Sequence, residues 1–66
     1  MQTITDLAYE RLAKLPSDNG IIRFPIVFHK IGSSFQIHKD DIWQILFELR
    51  EQRRIEIVRG NGIKIL

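Results

Sequence analysis

The chain has no cysteine. That removes disulfide staples and thiolate metal sites, and it fits a reducing compartment. Long apolar runs are missing too: none approaches the roughly 20 residues that a membrane helix needs. The start carries no charged-then-apolar export pattern. The expectation is a soluble, cytoplasmic protein without a membrane span. Charge of one sign is not in large excess either, with 10 Lys and Arg against 8 Asp and Glu. A net +2 announces no partner by itself. Signs of catalysis are equally sparse. There is no glycine-rich phosphate loop, and Ser33-Ser34 has no Gly-x-Ser-x-Gly context. His29 and His38 stand nine apart, a spacing that suits no helical ligand pair, and no third ligand clusters with them. No enzyme activity, metal or cofactor is expected.

What is there must therefore do its work with few parts. At 66 residues the chain has room for one domain, residues 1–66, and for a thin core. Every element has to contribute apolar surface, or a second copy has to help. Charge is unevenly spread: −1 over residues 1–20, +2 over 21–37, −2 over 38–52 and +3 over 53–66. The two positive segments flank an acidic one and can set up local fields that attract phosphate.

"TITDLAYERLAKLP" predicts a first helix, with Thr3 as its cap and Asp6 three residues on as a short capping box. Ile4, Leu7, Ala8, Leu12 and Leu15 share a face at helical spacing. Pro16 and "SDNG" end it in a turn. "GIIRF" is β-prone but too brief for more than an edge strand. Pro25 then suits the first turn of a second helix, "PIVFHKIG", with Val27, Phe28 and Ile31 inward and Gly32 as its stop. "SSFQIH" bridges to "HKDDIWQILFELREQRR", the longest helical pattern. Ile37 and Ile42 have the spacing of a hydrophobic staple around its start, which makes His38 the cap. Ile42, Ile45, Leu46 and Leu49 line one face and are expected in the core.

The tail "IEIVRGNGIKIL" predicts a β-hairpin about Gly60-Asn61-Gly62. A three-residue loop over 60–62 sets Ile57 opposite Ile65 and Arg59 opposite Ile63, and makes Gly62 the left-handed residue. That register gathers Ile55, Ile57, Ile63 and Ile65 on one face, whereas a two-residue loop splits them.

The order helix, short strand, helix, helix, hairpin, with "IGSSFQIHKDDIWQILFELREQRRIEIVRGNGIKI" at its centre, resembles the winged helix-turn-helix superfamily. The likeness covers nearly the whole chain and looks closest to the short single-domain winged helices of archaea and their viruses. It implies an α+β fold of three helices, a short strand before the second helix, and a C-terminal β-hairpin wing. In the family's pattern an apolar pair three apart leads through a polar turn, often with glycine, into an aliphatic strand. Leu46 and Leu49 match the pair, and Ile55 and Ile57 the strand. Arg53 and Arg54 stand where a glycine and an apolar neighbour are customary.

The resemblance makes the third helix the reading helix and implies double-stranded DNA as partner. The helix's own chemistry resists that role. Of Asp40, Trp43, Gln44 and Phe47, only Gln44 is a good base reader in the major groove. Asp40, Asp41, Glu48 and Glu51 would repel phosphate, although the two aspartates also complement the positive end of the helix dipole. Phosphate contacts are better sought in Lys30, Ser33, Ser34, Gln36 and Lys39 around the turn, and in Arg59, Asn61 and Lys64 about the wing. Gln44 and Lys39 are the candidate base readers. Trp43 and Phe47 form a patch one helical turn apart that Arg50 and Arg54 extend. It is covered by the first helix or the wing, or serves as a homodimer or protein-partner surface. Two functions follow: a small DNA-binding transcriptional regulator, or an interaction module that docks a partner through Trp43 and Phe47.

Overall fold

Helix α1 (Ile4–Ala13) begins as its sequence predicts. Thr3 Oγ1 accepts the Asp6 N–H, and the Thr3 N–H donates to Asp6 Oδ2, both at 3.2 Å. The computed structural model describes residues 2–17 and 19–66. Asp18, in the expected turn, lies outside the described residues, while Asn19 and Gly20 both take left-handed backbone. The inward face of α1 is Thr5, Ala8 and Leu12. Ile4, expected on that face, is 46% exposed, because the stripe through residues 5, 8 and 12 runs one position beside it.

Strand β1 (Ile21–Arg23) leads directly into α2 (Phe24–Phe35), which starts on a Pro-containing turn. Here the expected boundary fails. Gly32 does not stop the helix; Ser33, Ser34 and Phe35 continue it, so "SSF" is not part of the bridge. The stop is Gln36, with φ 52°, whose N–H bonds the Gly32 carbonyl at 2.8 Å. A Cβ at Gly32 would stand 3.8 Å from Ile42 Cδ1, an ordinary contact distance, so the helix passes through it without a packing demand for glycine. Val27 and Ile31 are buried as expected, and Phe28 is half-buried.

Helix α3 (Lys39–Glu51) is capped at His38, which lends extended backbone but no side-chain bond. Ile37 packs on the core beside buried Ile42, and Ile45, Leu46 and Leu49 are buried with it. At the other end the Arg53 N–H bonds the Arg50 carbonyl and the Arg54 N–H bonds the Leu49 carbonyl, both at 3.0 Å. This is the paired-bond helix stop that usually takes glycine at its left-handed residue. Arg53 occupies that residue with φ 59°. Replacing it with glycine relieves the Cβ strain of the left-handed region, so Arg53→Gly is expected to stabilise the fold by about 1 kcal/mol. Urea denaturation followed by circular dichroism checks this.

Strands β2 (Ile55–Val58) and β3 (Gly62–Ile65) form the hairpin, and the antiparallel sheet has the order β1-β3-β2. The register pairs Ile55 with Ile65 and Ile57 with Ile63, not Ile57 with Ile65. The loop still has three residues, but they are Arg59, Gly60 and Asn61. The Asn61 N–H closes the turn on the Val58 carbonyl at 3.1 Å, and Gly60, at φ 79°, is its left-handed residue. Sliding the pairing by two keeps the side-chain parity, so all four isoleucines still share the inner face. Gly62 has a different duty. A Cβ there would lie 1.9 Å from the Ile22 carbonyl oxygen, because β1 pairs closely against β3 at that point. Three helices and the inner sheet face enclose a core around Leu12, Val27, Ile31, Leu46, Leu49, Ile55 and Ile63. The architecture is an α+β winged-helix layout, with a short strand before α2 and a C-terminal hairpin.

Candidate nucleic-acid interface

The α2–α3 connection concentrates polar groups because the helix stop and the next helix start lie so close together. Ser33 and Ser34 occupy the last turn of α2, Gln36 is the left-handed residue, and Lys39 opens α3. Ser33, Gln36 and Lys39 are exposed, and Ser34 is half-buried. Lys39 stands in the N-terminal turn of α3, where backbone N–H groups also face outward and favour an anion. Asp40 and Asp41 share that turn and already complement the dipole.

At the wing, Arg59 and Asn61 flank Gly60 in the loop and are exposed. Lys64 is exposed on the outer face of the sheet, in register with Glu56 of β2 and Ile21 of β1. Its opposite-charge neighbour offsets part of its field, so Arg59 is the less encumbered wing cation. Among the described residues, Lys39, Arg59 and Lys64 take part in no ion pair.

Lys30 stands apart from this arrangement. It lines a cleft of about 240 Å³ between α1 and α2 with Arg11 and Lys14, so the turn cations and Lys30 form two groups. Arg11 also lies over the Phe35 ring at 5.5 Å. The contribution of α1 is not visible in the sequence, since nothing local ties Arg11 and Lys14 to Lys30.

The aromatic neighbours of Trp43 come from α2 and α3, not from α1 or the wing. Phe24 and Phe28, one turn apart on α2, cover it, with ring centroids 5.5 and 5.2 Å away. Phe47 stacks on its other side at 5.6 Å and is 42% exposed. The sequence signal for this cluster is a matching i, i+4 aromatic pair on each helix, of which only the pair on α3 is singled out in the sequence, by its place in the expected reading helix. With Asp40 and Gln44, Trp43 and Phe47 form a shallow, mainly apolar surface. Gln44 is exposed within it.

The expected arginine edge of that patch divides. Arg50 lies over the Phe47 ring at 5.3 Å and beside Glu51 at 3.7 Å. Arg54 turns away: its Nη1 donates to Asp6 Oδ1 at 2.8 Å, and its guanidinium lies 5.3 Å from the Tyr9 ring. Arg54 therefore belongs to a link between α1 and the start of the wing, not to the aromatic patch. The Thr3 backbone N–H, and after it Arg54, hold the Asp6 carboxyl below the ordinary carboxylate range. A carboxylate with a lowered folded pKa stabilises the fold above its unfolded pKa and loses that contribution as pH falls through the lowered value. Asp6→Asn is thus expected to reduce stability at neutral pH and to flatten its decline on acidification, as read by denaturation at stepped pH values.

Among the described residues no three His, Asp or Glu gather as a metal site would need. No helix is long and apolar enough to cross a membrane. Compared with protein-family models, curated proteins and solved structures, the chain matches none of them.

Proposed function

We propose that this chain is a double-stranded-DNA-binding protein of winged helix-turn-helix type, a small transcriptional regulator that works as a homodimer. The observation that carries the reading is the pairing of two exposed polar regions across α3. One is the α2–α3 connection with Lys39, and the other is the wing with Arg59, Asn61 and Lys64; none of these cations is engaged in an ion pair among the described residues. Ser33, Ser34 and Gln36 supply further phosphate partners, with Gln44 and Lys39 as base readers and Lys30 as a flanking cation. Phosphate contacts dominate such binding, because each one releases condensed counterions.

Arg59→Ala with Lys64→Ala tests the wing. The pair is expected to weaken duplex binding and to lower the salt slope of its affinity by about two, one for each phosphate left without its cation. Fluorescence anisotropy across a salt series reads both. Unchanged affinity and slope would remove the wing from the interface.

A second reading is favoured by the aromatic surface. Phe47 is exposed at its edge with Arg50 above it, the residue types enriched at the centre of protein interfaces. On this reading Trp43 and Phe47 dock a partner protein or the second copy of the dimer, and the acidic outer face of α3 keeps DNA away.

A further inference from the structure

We infer that the open edge of β2 accepts an extended, acidic strand from a partner protein. This goes beyond DNA binding and does not depend on it. Because β3 is central, β2 has a neighbour on one side only. The Leu66 N–H bonds the Arg54 carbonyl at 3.0 Å, which sets the phase of the ladder. The Arg54 carbonyl and the backbone groups of Glu56 and Val58 turn toward β3, and by alternation Ile55 and Ile57 turn theirs outward. No loop or terminus among the described residues takes up the N–H or C=O of either one.

Beside this edge runs a cleft of about 420 Å³. Its lining joins Ile55, Glu56 and Ile57 of β2 with Arg59 at one end and Arg50, Arg53 and Leu66 at the other. Ile55 is 1% exposed, backbone included, so the half-buried Ile57 is the residue of this edge that is open to a partner. Leu66, 62% exposed, adds an apolar contact, while Arg50, Arg53 and Arg59 rim the cleft. Three guanidinium groups against one carboxylate select an acidic occupant. Arg50 has only the exposed Glu51 beside it, and Arg53 and Arg59 have no ion pair among the described residues.

A second copy fits less well. Alternation lets Ile55 pair with the outward-turned Ile57 of a second copy, which sets Glu56 opposite Glu56 and Arg53 opposite Arg59, like charges that repel. Nucleic acid also fits less well, since an edge offers carbonyls as often as N–H groups and phosphate can use only the latter. Another strand uses both, with side-chain contacts adding specificity.

The test uses the isotope-labelled whole chain and a short capped peptide alternating valine with aspartate, with the lysine–valine peptide as control. The acidic peptide is expected to slow amide exchange at Ile57, and the basic one to leave it unchanged. Arg50→Ala with Arg53→Gly should weaken acidic-peptide binding on the order of tenfold. Both sites are surface positions, and glycine suits the left-handed backbone at 53, so the variant stays folded. Binding without slowed exchange at Ile57 would overturn strand addition, as would no binding at all. Equal protection by the basic peptide, or undiminished affinity in the double variant, would overturn the acidic selection. Concentration-dependent protection without peptide would assign the edge to a second copy. Protection by duplex DNA alone would assign it to nucleic acid.

Discussion

Replacing Gly62 with alanine is expected to remove about 3 kcal/mol or more of folding stability, the largest loss from any single methyl group in this chain. The added Cβ would meet the Ile22 carbonyl oxygen at 1.9 Å, its carbon at 2.7 Å and Arg23 Cα at 2.9 Å. These are backbone atoms, so no rotamer change relieves them. Either β1 separates from β3 or the junction into α2 shifts, and Ile22 leaves its buried place against Ile63. A domain of this length holds only about 3–10 kcal/mol in total, so the variant should be substantially unfolded at room temperature. Gly60→Ala is the comparison. Nothing lies within 4 Å of its added Cβ, and its positive φ alone costs about 1 kcal/mol. Thermal melts of the two variants should separate clearly. Equal melts would mean that β1 does not pack closely on β3 at Gly62.

Trp43→Ala is expected to cost about 2–3 kcal/mol, less than a fully buried tryptophan because the ring is only half-buried. The loss comes from three aromatic neighbours, Phe24, Phe28 and Phe47, all within 5.6 Å of the ring centroid. Trp43→Phe keeps most of that packing and should cost about 1 kcal/mol. The conservative variant therefore separates function from folding. If it stays folded and binds duplex while self-association weakens, the aromatic surface is the dimer or partner interface. If self-association and DNA binding both persist, the cluster is core, and the interface reading falls. Sedimentation at matched concentrations, together with a duplex-binding assay, distinguishes these outcomes.

Much of the fold is legible because local chemistry and periodicity agree. Thr3 and Asp6 mark a helix start that forms both of its predicted bonds. Ile42, Ile45, Leu46 and Leu49 show the core face of α3 without ambiguity. The hairpin face is readable for a similar reason, since parity alone puts the four isoleucines together whichever odd-length loop joins them. Sequence reading fails at positions where tertiary contact overrides local preference. Gly32 reads as a stop, yet the helix continues to Phe35 and the left-handed residue that ends it is Gln36. Gly62 reads as a turn residue, yet β1 is what requires it, and β1 is about forty residues distant in sequence. Gln36 and Arg53 adopt left-handed backbone that neither residue advertises. Arg54 pairs with Asp6 across nearly the whole chain, so no local pattern could detach it from the aromatic patch. The candidate contact residues are legible as two stretches, but the separation of Lys30 toward Arg11 and Lys14 requires the packing of α1 on α2.

The most direct measurement of the central claim is a gel shift of the unaltered protein against duplex DNA at low and at raised salt. DNA binding through the α2–α3 connection and the wing predicts a retarded band at low salt that weakens steeply as salt rises, because phosphate contacts release counterions. No retardation at low salt would contradict it, and would leave the aromatic surface of α2 and α3 as the working face of the molecule.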